Sequence, residues 1–135
     1  MELVQFEWPV RVYYEDTDCA RVVYYANYLK FLERARTEWL RSLGWSQDQM
    51  LKELHLIFVV AGVEIKYRKP ARLDDQLTIK CRTLNVGKAS IVFEQEIWRK
   101  DELLISAQVK CGCLDSDTYR PKLMPDALAE KFHQK

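Results

Sequence analysis

YYEDTDCARVVYYANYLKFLERARTEW, residues 13–39, holds two kinds of chain in one stretch. It begins as a loop carrying Asp16 and Asp18, then opens a helix that bears no charge from Val22 until Lys30. A carboxylate beside the unpaired backbone N–H groups of a helix start sets a base or nucleophile close to an oxyanion donor. Over residues 24–43 the apolar positions Tyr25, Tyr28, Leu29, Phe31, Leu32, Ala35, Trp39, Leu40 and Leu43 recur at three- and four-residue steps, and Gly44 follows as a stop. This spacing predicts a helix of about five turns with a wide apolar arc, which needs cover over much of its circumference.

Outward from the helix, the chain reads mostly as strand. Residues 6–14 alternate, with Pro9 early in the run, where a missing ladder donor points to an edge or a bulge. Ser46 caps a short helix over residues 46–54, with Gln49 in the capping-box position. Residues 56–67, 76–86, 89–98 and 103–114 are rich in β-branched and aromatic residues, and short turns at Gly87-Lys88 and Lys100-Asp101 make the last three strands antiparallel neighbours. A short helix closes the chain over residues 126–132. The predicted architecture is α+β: a single domain over residues 1–135, its five-stranded antiparallel sheet wrapped around one long helix. Open sheet edges and one-sided cover leave apolar surface, so a symmetric homo-oligomer is expected.

Composition narrows the function classes. Of the 135 residues 48% are hydrophobic and 30% charged, the balance of a globular domain, and a formal charge of +1 supplies no field for nucleic acid. Lys66, Arg68, Lys69 and Arg72 form a local basic cluster, read as a solvated strand end or as a phosphate contact. The first ten residues lack a signal-peptide pattern and no stretch approaches a membrane span, so a cytoplasmic protein without membrane insertion is expected. Four cysteines without a CxxC pair and only two histidines, His55 and His133, lead us to expect free thiols and no zinc. A metal at Asp16 and Asp18 would need further acids, and Asp74-Asp75 reads better as a turn. From spacing alone, Asp16 and Asp18 serve equally as turn and helix caps.

The run Y-x-x-D-x-D-x-x-x-V-V-Y-Y-x-N-Y, followed by F-L-E-x-A-R, resembles the 4-hydroxybenzoyl-CoA thioesterase branch of the hotdog-fold superfamily. Within it the chain is most similar to the Tol-Pal-associated acyl-CoA thioesterase subgroup, through WPVRVYYEDTD, ERARTEWL, the FVV of Phe58, Val59 and Val60, and the PARLDD that starts at Pro70. The resemblance implies a hotdog fold, with dimers that share active sites and commonly pair into tetramers. It implies Asp18 as the catalytic carboxylate, acting as nucleophile or as general base on water. The oxyanion contact falls on the backbone N–H of Tyr25, where many members of the subgroup carry His and the hydroxybenzoyl enzymes carry Tyr.

Tyr14, Asp16 and Asn27 match the motif as residues that fix the loop. Arg21 stands where the family usually has glycine, and an arginine there could pair with Asp18. Lys88 and Ser90 are the contacts that the matching β-turn offers to coenzyme A phosphates, with Lys66, Arg68 or Arg72 as further contributors and a plain hairpin as the alternative. Phe58, Val59 and Val60 of the partner subunit would line an apolar acyl pocket, or else are ordinary core. The expected activity is hydrolysis of an acyl-CoA or acyl-carrier-protein thioester without a cofactor. The alternative is a module that binds such a thioester without hydrolysing it, and Arg21 is the residue that keeps it open.

Overall fold

The structure, a computed structural model, describes Met1 and residues 3–133. The strands β1 (Phe6–Arg11), β2 (Leu56–Tyr67), β3 (Gln76–Val86), β4 (Ser90–Arg99) and β5 (Glu102–Asp115) form one antiparallel sheet in the order β1-β3-β4-β5-β2. Three helices accompany it: α1 (Asn27–Ser42), α2 (Gln47–Leu54) and α3 (Asp126–His133). The period-2 pattern turns Leu77, Ile79 and Cys81 of β3, Ile91, Phe93 and Ile97 of β4, and Ile105, Ala107, Val109, Cys111 and Cys113 of β5 to one face. On α1 the 3.6 period gathers Tyr28, Phe31, Leu32, Ala35, Trp39 and Leu40 into the stripe that meets them. Trp39 joins three elements, stacking on Phe6 at 5.9 Å and meeting Phe93 and Phe132 edge-on at 5.7 and 5.2 Å.

Local chemistry explains the boundaries. Pro9 lies in β1, an edge strand, where its missing N–H costs least. The strand expected to reach residue 14 ends at Arg11, because Val12 turns away from β3 to donate its N–H to Asp75 O and accept from Asp74 N–H. Gly44 takes a φ of +90° after α1, as a helix stop requires. Ser46 Oγ accepts the Gln49 N–H at 3.1 Å, but the Gln49 side chain donates to Glu53, so only half of the expected capping box forms. The helix expected from residue 24 begins at Asn27, since the Tyr24 N–H is held by Asp16 O and residues 25–26 form a turn.

Candidate active site

Residues 12–26 fold into a small ladder of their own. Thr17 pairs with Val23, the Asp18 N–H donates to Val22 O at 2.9 Å, and the Tyr24 N–H donates to Asp16 O at 3.1 Å. The tip closes through an Asx turn, in which Asp18 Oδ1 accepts the Ala20 N–H at 2.8 Å, and the Arg21 N–H donates to Asp18 O. Asp16 is buried, its carboxylate accepting the Tyr13 N–H at 2.8 Å and its carbonyl also accepting Asn27 Nδ2 at 2.9 Å. Asp16 and Asn27 therefore tie the loop to the first turn of α1. Tyr14, 82% exposed, supports the loop through its carbonyl, which accepts from Thr17, and not through its ring.

Two groups that bear on the chemistry stay open in this loop. Asp18 is half-buried, and among the described residues its second carboxylate oxygen accepts no hydrogen bond and no cation pairs with it. The Tyr25 N–H, in the turn ahead of α1 and not at the helix start itself, likewise has no acceptor among the described residues. Its carbonyl accepts the Tyr67 hydroxyl at 3.3 Å, and the Tyr67 ring stands edge-on to that of Tyr25 at 6.2 Å. Tyr67 had no signal in the sequence beyond ending a strand. Two rungs of the ladder, on the order of 7 Å, separate Asp18 from the rung that carries Tyr24.

A second loop braces the first. Ala71 O accepts the Val23 N–H at 2.9 Å, the Ala71 N–H donates to Tyr28 Oη at 3.0 Å, and Val22 bridges to Arg72. Burial raises the Tyr28 phenol pKa, partly offset by the Ala71 N–H. That loop is pinned in turn by Arg99, which donates to Asp75 at 2.7 Å and to Glu102 at 2.6 Å, while Lys69 donates to Glu102 at 2.8 Å. The basic cluster is thus partly spent: Lys69 is paired and Arg68 donates to Ser106, whereas Lys66 and Arg72 form no ion pair among the described residues. The Arg21 side chain is exposed and, among the described residues, its guanidinium forms no ion pair with the Asp18 carboxylate, so the pairing that an arginine here could make is not formed. Among the described residues there is no cluster of three or more His, Cys, Asp or Glu that could hold a metal.

The remaining candidates lie elsewhere. Phe58 pairs with Cys113, and Ser90 with Gly112, at the end of the sheet opposite the Asp18 loop; β3, running from Gln76 beside that loop to Val86, spans about 30 Å between them. Phe58 packs half-buried against the core, Val59 and Val60 are 37% and 51% exposed, and Lys88 projects from the β3–β4 turn without an ion pair among the described residues. One protomer therefore brings together Asp18, Tyr25, Asp16 and Asn27 but not Phe58, Val59, Val60, Lys88 or Ser90.

Sequence and structure comparisons bear on the family and the fold. The model of the Thioesterase superfamily matches residues 20–106. The acyl-CoA thioesterase YbgC of Haemophilus influenzae is 45% identical over 128 residues, covering 95% of this chain and 94% of that protein. The long-chain acyl-CoA thioesterase FadM of Escherichia coli is 32% identical, over 81% and 83% of the two chains. Among solved structures, a probable thioesterase from Bartonella henselae is 35% identical with a TM-score of 0.84, covering 88% of this chain and 98% of that one. The chain, with its five-stranded hotdog sheet, belongs to the thioesterase superfamily.

Proposed function

We propose that this protein is an acyl-CoA thioesterase, hydrolysing the thioester to a free acid and coenzyme A, with Asp18 as the catalytic carboxylate and the Tyr25 N–H as the oxyanion donor. The observation that carries it is the pairing of an Asp18 carboxylate oxygen and a Tyr25 N–H, both without a partner among the described residues, on a loop that Asp16 and Asn27 tie to the first turn of α1. A thioester carbonyl between them would develop its negative charge against the N–H, while the carboxylate attacks or activates water. The thiolate of coenzyme A then leaves and takes up a proton.

The site is completed by a second protomer. Antiparallel pairing of β2 with its symmetry copy about the middle of Leu56–Tyr67 sets Phe58 opposite Ile65, carrying the partner's Phe58, Val59 and Val60 toward Tyr67 and Tyr25. The same operation brings the partner's Lys88 and Ser90 to the side where phosphates of coenzyme A would lie, with Arg72 as a free cation on the near side. Hydrolysis of straight-chain acyl-CoA substrates, read as thiol release, tests the proposal: Asp18→Asn should fold as the wild type does and lose at least about a hundredfold in kcat. Equal turnover by the two proteins would remove Asp18 from the chemistry. Tight binding without turnover in the wild type would instead make this a binding module.

A further inference from the structure

Arg36 sits on the buried arc of α1, four residues after Leu32 and four before Leu40, where an apolar side chain would be expected. Its guanidinium has one partner, Gln95 Oε1, at 2.9 Å. Gln95 is 0% exposed and is itself fixed, its Nε2 donating to Leu32 O at 3.0 Å and to Cys81 Sγ at 3.3 Å. No carboxylate pairs with Arg36 among the described residues, and burial lowers its pKa. A desolvated cation held by a neutral amide alone is costly. None of its nitrogens is sealed without a partner, so those that Gln95 leaves free open onto space. Arg36 lines a slot of about 40 Å³ whose walls are mostly apolar, Phe58, Ile91, Phe93, Cys111 and Phe132 among them, with Gln47 as its other polar residue. It is small and open on one side, room enough for a carboxylate to approach the guanidinium.

Phe58 lines both this slot and the acyl wall of the proposed function, on which the present inference rests. We infer that Arg36 is a specificity residue which receives the far end of the acyl group, and that the preferred substrates are acyl-CoA thioesters with a distal carboxylate. A carboxylate entering the slot would accept two parallel N–H bonds from the fork of Arg36.

The test uses matched pairs of substrates over four to ten acyl carbons, each pairing the coenzyme A monothioester of a dicarboxylic acid with the monocarboxylic acyl-CoA of equal length. The wild type should favour the dicarboxylic member by about tenfold or more in kcat/KM at one length at least. Arg36→Met should abolish that preference and spare turnover of the monocarboxylic member, and Arg36→Lys, which keeps the charge but loses the fork, should retain part of it. Preference for the monocarboxylic member at every length would overturn the inference, with or without a folded Arg36→Met. So would a preference that survives in folded Arg36→Met. Hydrolysis of neither member of any pair would instead overturn the thioesterase reading together with it.

Discussion

Arg21 has a φ of +65° in the turn that closes the Asp18 loop. The left-handed region costs a residue with a Cβ about 1–2 kcal/mol, and glycine avoids that strain while adding freedom to the unfolded chain. The two effects leave a net gain of about 0.5 kcal/mol for Arg21→Gly, a rise of about 1–3 °C in Tm. Arg21→Ala is the control, because it removes the charge but keeps the strained backbone and should bring no such gain. A drop in the Tm of Arg21→Gly, measured by thermal unfolding, would show that the arginine side chain is what holds the turn. The family's usual glycine at this position thus has a backbone reason, and the departure of this chain from it concerns loop stability and not a screened Asp18.

At the scale of elements, the sequence was most legible where one period ran long. The stripe from Tyr28 to Leu40 announced α1, and the alternation in β3, β4 and β5 announced their shared face. The start of α1 was read three residues early because Tyr24 and Tyr25 continue the apolar pattern, whereas the Asp16 carbonyl, distant in periodicity, captures the Tyr24 N–H. The place of β2 at the far edge beside β5 was not legible, since no turn chemistry links them and β3 and β4 intervene in the chain. Asp16, Asp18 and Asn27 were legible through the motif; Tyr67 lay outside it, and Arg36, though the last residue of F-L-E-x-A-R, gave no sign of its surroundings, which depend on the strands and walls around it.

The brace between Pro70 and Glu102 makes a prediction about pH. Hydrogen bonds from Lys69 first, and then from Arg99, lower the Glu102 pKa from its ordinary 4.5 to about 2. A depressed carboxylate contributes its stability fully above the unfolded value and loses it as pH falls toward the folded one. The stability difference between wild type and Glu102→Gln, from urea unfolding, should therefore hold above pH 4.5 and narrow as pH falls toward 2. Because Glu102 is a surface group, added salt should shrink the difference as well. A difference independent of pH across that window would remove the ionised network from the brace.

At the scale of the whole molecule, β2 is the element the monomer leaves unfinished. Val60 and Val63, 51% and 38% exposed, share one face of it and Val59, 37% exposed, lies on the other, on an edge strand with one side of its backbone unpaired among the described residues. Such an edge is a template for another strand. Pairing with a copy of itself also supplies what the Asp18 loop lacks, since the acyl and phosphate candidates stand at the opposite end of each protomer's sheet. The symmetric register sets Val60 opposite the partner's Val63, which allows a test by charge. The double variant Val60→Glu, Val63→Glu places like charges across the axis and should sediment at the chain mass with little thioesterase activity. Val60→Glu, Val63→Lys places opposite charges there and should sediment at twice the chain mass. Both substitutions lie on exposed positions, so each variant should keep the monomer fold by circular dichroism. If the two variants show the same mass, pairing through β2 is wrong; if the Glu-Glu protein is monomeric yet fully active, the site belongs to one chain.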